Sequence, residues 1–341
     1  MSHTVINTVL LSERWATVVK SADPLVAARS PPSNQKGLRE YTDEIGRKGG
    51  PGMTLIEPVV KRIPAAGVEV AGEDYQVDDA RGTVLFLHGG GQTRHSWRGA
   101  AGRLARAGWH TLALDTRGHG DSGWAPDGDY SMDALVADLA AVVAQLGEDG
   151  EAPPVLVGAS LGGLTSLVAV AEKRVSARAL VLVDVAPRIE PAGAERIGAF
   201  MRRHSADGFA TLEDVAAAVS DYNSHRARPA GFDGLRKNVR QAENGRWYWH
   251  WDPAFMRPPA EREGRPVGDE ERMREAARRI RVPTLVVRGV QSDVLSEDGV
   301  RDFLSLAPHA KAVDVTGAGH MVAGDDNDVF TDQVGRFLDT V

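Results

Sequence analysis

From residue 58 onward, short apolar runs alternate with amphipathic stretches along the chain. Val59–Ile63 and Val68–Tyr75 read as two early strands. Thr83–Leu87 (TVLFL) is almost wholly apolar, as a strand buried on both faces should be. Residues 97–107 then predict a helix. Thr111–Leu114 is the next buried strand, and 131–146 (SMDALVADLAAVVAQL) is a strong amphipathic helix with Ser131 at its N-cap. Val155–Val157 is a strand, and a helix opens at Ser160. Ala179–Val183, Thr284–Val287 and Lys311–Val315 complete the set of strands. Helices are expected over 296–307 and 325–339. Buried strands alternating with helices predict an α/β fold: a parallel sheet covered on both faces.

The rhythm breaks twice. Between Asp184 and Ile280 lies a stretch rich in Arg, Glu, Ala and aromatic residues with no clear buried strand, so 186–279 reads as a mostly helical cap inserted into a core of 58–185 and 280–341. Residues 1–57 form an extension. An amphipathic helix is expected over 5–20, and the Pro/Gly-rich loop of 24–52 follows it. The extension reads as a surface-packed segment, with a lid or a homodimer contact as the alternative.

Composition narrows the functional classes. The 341 residues carry 40 Lys+Arg against 47 Asp+Glu, a net charge of −7. That balance argues against a dedicated binder of nucleic acid or anionic membrane. There are no cysteines, which excludes disulfides and a Cys nucleophile. The apolar run 5–11 is too short for a signal core or a membrane span, so a soluble cytoplasmic protein is expected.

Chemistry converges on one group of loops. Gly158-Ala159-Ser160-Leu161-Gly162 is a G-x-S-x-G element between a strand and a helix. Such a turn lifts a serine hydroxyl clear of the sheet, and glycines on either side let the backbones approach. A serine needs a base to take its proton. His320, in the glycine-flanked loop after the last strand, is the histidine best placed to swing over the strand ends. The imidazole needs an acid in turn. Asp293, after the strand Thr284–Val287, is the preferred candidate, and Asp184, after Ala179–Val183, is its rival. Backbone N–H donors for an oxyanion are offered by Leu161 and by the glycines of His88-Gly89-Gly90-Gly91, with Gly90 favoured over Gly91. His88 itself reads as a structural hydrogen-bonding group.

With these elements in order, the chain resembles the α/β-hydrolase superfamily over about residues 58–341. The motifs that carry the likeness are HGGGQTRHSW (88–97), DTRGHGDSGW (115–124), GASLGG (158–163), and SD (292–293) with GAGH (317–320). The resemblance implies a mostly parallel eight-stranded sheet with a cap after the sixth strand. It also implies structural turn roles for Asp115, Arg117 and His119. The nearest branch is that of capped esterases, lactonases and epoxide hydrolases. Epoxide hydrolases place an aspartate at the elbow, and Ser160 there argues for ester-type acyl transfer instead. Gly118–Gly123 also matches G-x-G-x-x-G, but a proline-containing loop follows where a dinucleotide site needs a helix.

The expected activity is therefore hydrolysis of a small, largely apolar carboxylic ester or lactone through an acyl-enzyme, with no cofactor and no metal. The same triad serves C–C bond hydrolysis, perhydrolysis and acyl transfer, and a small-ligand receptor on this fold is the alternative of another class. Trp247, Trp249 and Trp251 alternate in the insertion and read either as its packing core or as an aromatic wall over substrate. Trp97 and Trp124 lie in loops near the strand ends and are expected to line the same pocket with Gly91.

Overall fold

The computed structural model describes residues 56–147, 152–222, 231–257, 267–320 and 328–341. The expected helix over 5–20, the loop over 24–52 and the proposed lid or dimer contact lie outside these residues.

Three central strands are buried at every position: β3 (Thr83–Leu87), β5 (Val155–Ala159) and β6 (Ala179–Val183). Their unbroken apolar runs follow from helices covering both faces of the sheet. Around them lie β1 (Val59–Pro64), β2 (Glu69–Tyr75), β4 (His110–Leu114), β9 (Thr284–Gly289) and β10 (Lys311–Val315). The eight strands run in the order β1-β2-β4-β3-β5-β6-β9-β10. β1 and β2 pair antiparallel, as do β2 and β4, and the remaining pairs are parallel. This is the α/β-hydrolase sheet that the resemblance implied.

The helices in chain order are α1 (Arg98–Arg106), α2 (Met132–Leu146), α3 (Leu161–Ala171), α4 (Pro191–Arg202), α5 (Leu212–Tyr222), α6 (Asp233–Arg236), α7 (Glu270–Arg279), α8 (Glu297–Leu306) and α9 (Asp328–Leu338). Side chains alternate across each strand, so one strand feeds two cores. Leu85, Leu156, Leu180 and Leu182 join Met132, Leu167, Met273 and Phe303 on one face. Phe86, Val157, Val181 and Val183 join Trp97, Leu104, Phe330 and Phe337 on the other. Helix starts are set locally. Ser131 accepts from the Ala134 N–H at 3.2 Å, and Ser296 accepts from Gly299 at 3.1 Å. None of the described helices is long and apolar enough to cross a membrane.

The insertion between β6 and β9 differs from a purely helical expectation. Besides α4 to α7 it holds a hairpin of β7 (Val239–Gln241) and β8 (Trp247–Trp249). Strands of three residues are too short to show a period in the sequence. Phe209, Leu212, Val215, Leu235, Trp249 and Trp251 build its own core, which closes onto Leu161, Tyr130 and Leu135 of the main domain.

Candidate active site

The loops that leave β3, β5, β6 and β10 all emerge at the carboxyl ends of the parallel strands, where open α/β sheets form sites. Ser160 sits at the turn from β5 into α3 with φ 45° and ψ −113°, a conformation costly for a residue with a side chain. Its N–H bonds to the Val183 carbonyl at 3.1 Å. The turn is tight enough that glycine is obligatory. A Cβ on Gly158 would lie 2.5 Å from the Gly162 backbone, and one on Gly162 would lie 2.5 Å from the Leu87 carbonyl oxygen. The glycine-flanked strand-to-helix turn expected from the sequence is present, with Ser160 half-buried at its tip.

His320 and its acid are where sequence and structure part. The His320 Nδ1 lies 2.7 Å from Oδ2 of Asp184, not against Asp293. Asp184 follows β6 directly, has φ 52°, and is 0% exposed. Its carboxylate is fully served: Oδ1 accepts from the Gly289 N–H at 2.9 Å, and Oδ2 accepts from the Ser292 hydroxyl at 2.5 Å as well as facing His320. A buried carboxylate requires such partners. The His320 loop is pinned against the end of β9, where a Cβ on Gly289 would lie 2.4 Å from the Gly319 carbonyl oxygen. Gln291 also donates its N–H to the Ala318 carbonyl at 2.9 Å.

The choice of Asp293 as partner of His320 is thus corrected. Asp293 is 42% exposed and forms a bidentate pair with Arg196 of α4, at 2.6 and 2.9 Å. Hydrogen bonding from Arg196 holds its carboxyl below the usual carboxylate range. Asp184 and Asp293 leave neighbouring strands, since β6 pairs with β9. Ser292, the other residue of the SD pair, was assigned no role from the sequence and donates its hydroxyl to Asp184.

The glycine loop after β3 is held from below. His88 is fully buried, donates from Nδ1 to the Gly89 carbonyl at 2.8 Å and accepts the Thr116 N–H at Nε2. Burial pushes its pKa down, so it stays neutral and can accept. Gly89 donates to Gln92 Oε1 at 3.0 Å, and Gly91, with φ 73°, donates to His119 Nε2 at 3.1 Å. Among the described residues nothing accepts from the N–H of Gly90 or of Leu161. These are the two donors expected for an oxyanion. Gly91 is not available as a third, because its N–H is already taken.

The turn of 115–124 supports this loop. Asp115 is fully buried and accepts from the backbone N–H groups of Arg94 and Asp121 at 2.6 and 2.9 Å, and from the Arg94 guanidinium. Arg117 grips Asp138 at 2.6 and 2.8 Å. A Cβ on Gly120, which has φ 57°, would collide with the Asp115 carboxylate at 2.1 Å.

Trp97, expected at the pocket, packs in the sheet core instead, while Trp249 and Trp251 belong to the apolar cluster that also holds Leu161, Met201 and Phe255. Trp97 is 0% exposed in the sheet core, with its ring 5.0 Å from Phe86 and 6.0 Å from Phe330. Trp124 stands 36% exposed on the outer side of its loop. Trp249 and Trp251 are buried and stacked at 4.8 Å inside the insertion. Long-range packing decided the three buried positions. What covers the glycine loop instead is Met201 of α4 and Phe255. Built as alanine, Gly91 would meet Met201 Sδ at 3.3 Å, and Gly90 would meet Phe255 Cε1 at 3.9 Å. Both residues were passed over in the sequence, where each sits among other apolar residues of the insertion with nothing to mark it out.

The α/β hydrolase fold family matches residues 82–326 of the chain. Esterase Rv0045c of Mycobacterium tuberculosis is 30% identical over 262 residues, which span 75% of this chain and 83% of that protein. The 2-(acetamidomethylene)succinate hydrolase of Mesorhizobium japonicum is 29% identical over 267 residues, 75% of this chain and 87% of its own. A solved alpha/beta hydrolase from Novosphingobium aromaticivorans superposes with a TM-score of 0.70 at 27% identity, covering 85% of this chain and 100% of that one.

Proposed function

The chain belongs to the α/β hydrolase fold family, and from that premise we propose that it is a serine hydrolase of small, largely apolar carboxylic esters or lactones. The observation that carries the reading is the buried Asp184–His320 pair at the strand ends that also present Ser160. Ser160 Oγ attacks the carbonyl carbon while His320 takes its proton. The oxyanion receives the N–H groups of Gly90 and Leu161. Collapse expels the alcohol, which leaves with the proton from His320. Water then attacks the acyl-enzyme and gives its proton to His320, and collapse of the second tetrahedral intermediate frees the acid while His320 returns that proton to Ser160 Oγ. Asp184 holds the imidazole in one tautomer and stabilises its cation throughout. The insertion serves as a cap, and Met201 and Phe255 give the acyl side an apolar cover. The esterase from Mycobacterium tuberculosis supports the ester over other substrates.

The test is a fluorophosphonate probe together with p-nitrophenyl esters from acetyl to octanoyl, run on the wild type and on Ser160→Ala. Labelling and turnover that both vanish in the variant are expected. A folded wild type that neither reacts with the probe nor turns over any ester sinks the reading.

A further inference from the structure

Gly91 is held from two sides by histidines that no step of the proposed mechanism uses. His119, in the turn after β4, accepts the Gly91 N–H at Nε2 at 3.1 Å and faces the Arg117 carbonyl with Nδ1 at 3.1 Å. His250 comes from the insertion. Its Nδ1 accepts the Gly120 N–H at 2.8 Å, and its Nε2 faces the Gly91 carbonyl at 3.3 Å. The backbone N–H of Gly120 can only donate, so Nδ1 is the acceptor and Nε2 carries the hydrogen. That assignment makes both bonds of His250 good at once. Both rings are buried, and their centroids lie 5.8 Å apart. Burial holds both imidazoles neutral, with the pKa of His119 pushed down to about 3.

The same segment of the insertion is tied down at its next residues. Asp252 donates its N–H to the Gly118 carbonyl at 2.8 Å, and Tyr130 donates its hydroxyl to Asp252 Oδ2 at 2.5 Å. Residues 250–252 are therefore a fixed post on the main domain. The ring that the post presents to Gly91 closes a cage around the one glycine that follows the Gly90 donor.

Resting on the reading of Gly90 as an oxyanion donor, we infer that His250 is a positioning residue through which the insertion sets the oxyanion hole. With His119 it locks both polar groups of Gly91, and the Gly90 N–H keeps its direction because the next residue cannot turn. An oxyanion donor works only when aimed at the place where charge develops. Misplacement of a reacting group by about 1 Å costs on the order of 100-fold in rate. His250 itself touches neither substrate nor Ser160 in this scheme. Its loss is felt in the transition state and not in binding of the ester.

The experiment compares His250→Phe, which keeps a ring and removes both hydrogen bonds, with His250→Ala, His250→Gln and Leu235→Ala. Leu235 packs in the core of the insertion without contributing to the cage. Steady-state hydrolysis of p-nitrophenyl acetate gives kcat and KM, and a boronic acid that forms an anionic tetrahedral adduct on serine reports the oxyanion hole. Expected for His250→Phe, and for His250→Ala should the first not fold, is a fall in kcat of about 10- to 100-fold with KM within about threefold. Boronic acid binding should weaken by a similar factor. His250→Gln regains a donor and an acceptor and should recover part of the loss. Leu235→Ala should keep kcat within about threefold even if it melts earlier. The inference is overturned if the histidine variants keep kcat, if their defect lies in KM alone, or if Leu235→Ala loses as much. Those results leave the hydrolase reading standing. A wild type without turnover or Ser160 labelling removes both together.

Discussion

At the scale of single residues, the sharpest contrast is between two aspartates one strand apart. Asp184 has its carboxylate buried and shared among Gly289, Ser292 and His320, whereas Asp293 spends its charge on Arg196 at the surface. On the proposed mechanism, Asp184→Asn keeps the shape but removes the charge that would stabilise the imidazolium and fix its tautomer. A fall in kcat on the order of 10⁴-fold is expected, measured on the best p-nitrophenyl ester. Asp293→Asn should stay within about threefold, because an exposed ion pair is worth only about 0.2–1 kcal/mol. A reversed order of these two variants would return Asp293 to the site. Gly162→Ala puts a Cβ 2.5 Å from the Leu87 carbonyl oxygen. The backbone of a central strand cannot easily yield, so a loss of about 3 kcal/mol is expected in urea denaturation.

Elements set the reach of those residues. α3 begins at the elbow because Ser160 ends β5 in a conformation that neither strand nor helix continues, and small residues at 158, 162 and 163 let β5, β3 and α3 touch. α4 matters for a different reason. Its one buried large side chain, Met201, packs over Gly91, while Arg196 on the same helix reaches Asp293. The helix therefore bridges the glycine loop after β3 and the loop after β9. Met201→Ala removes the apolar cover from the glycine loop, and the chain-length optimum in the p-nitrophenyl series should move to longer acyl groups by at least two carbons. An unmoved optimum would show that another element bounds the acyl pocket.

Taken as a whole, the molecule keeps a column of three neutral histidines, His88, His119 and His250, under the site. Burial dominates the downward shift of each. An unfolded chain binds their protons near pH 6.5, and the folded chain does not until far lower, so the unfolded state holds more protons between. Stability is then complete above about pH 6.5 and falls as pH drops toward 3. A carboxylate held low, such as Asp121, gives the same sign in a lower window. Burial raises the Asp121 carboxyl, but Arg94 and Arg240 outweigh it and hold it low, so its contribution is lost only below about pH 4. The onset separates the two. Urea midpoints should already decline between pH 6.5 and 5, and a flat profile there would count against the histidine column.

Much of this was written in the chain itself. The apolar runs at 83–87 and 179–183 became β3 and β6 with the same bounds, because a strand buried on both faces has little choice of composition, and 311–315 kept its bounds as the largely exposed edge strand β10. The G-x-S-x-G turn and the helix capped by Ser131 were legible for local reasons of their own, a glycine-flanked elbow and a hydroxyl acceptor. Tertiary structure alone decided which aspartate meets His320. β6 and β9 are neighbours, so their following loops offer both acids to one place, and periodicity is silent about where a loop side chain points. The positive φ at Asp184 turns it inward toward Gly289, and an arginine on α4, distant in sequence, draws Asp293 outward. The tryptophans went the same way. A residue type announces that a ring will be buried, but only the packing of separate elements determines what it is buried against.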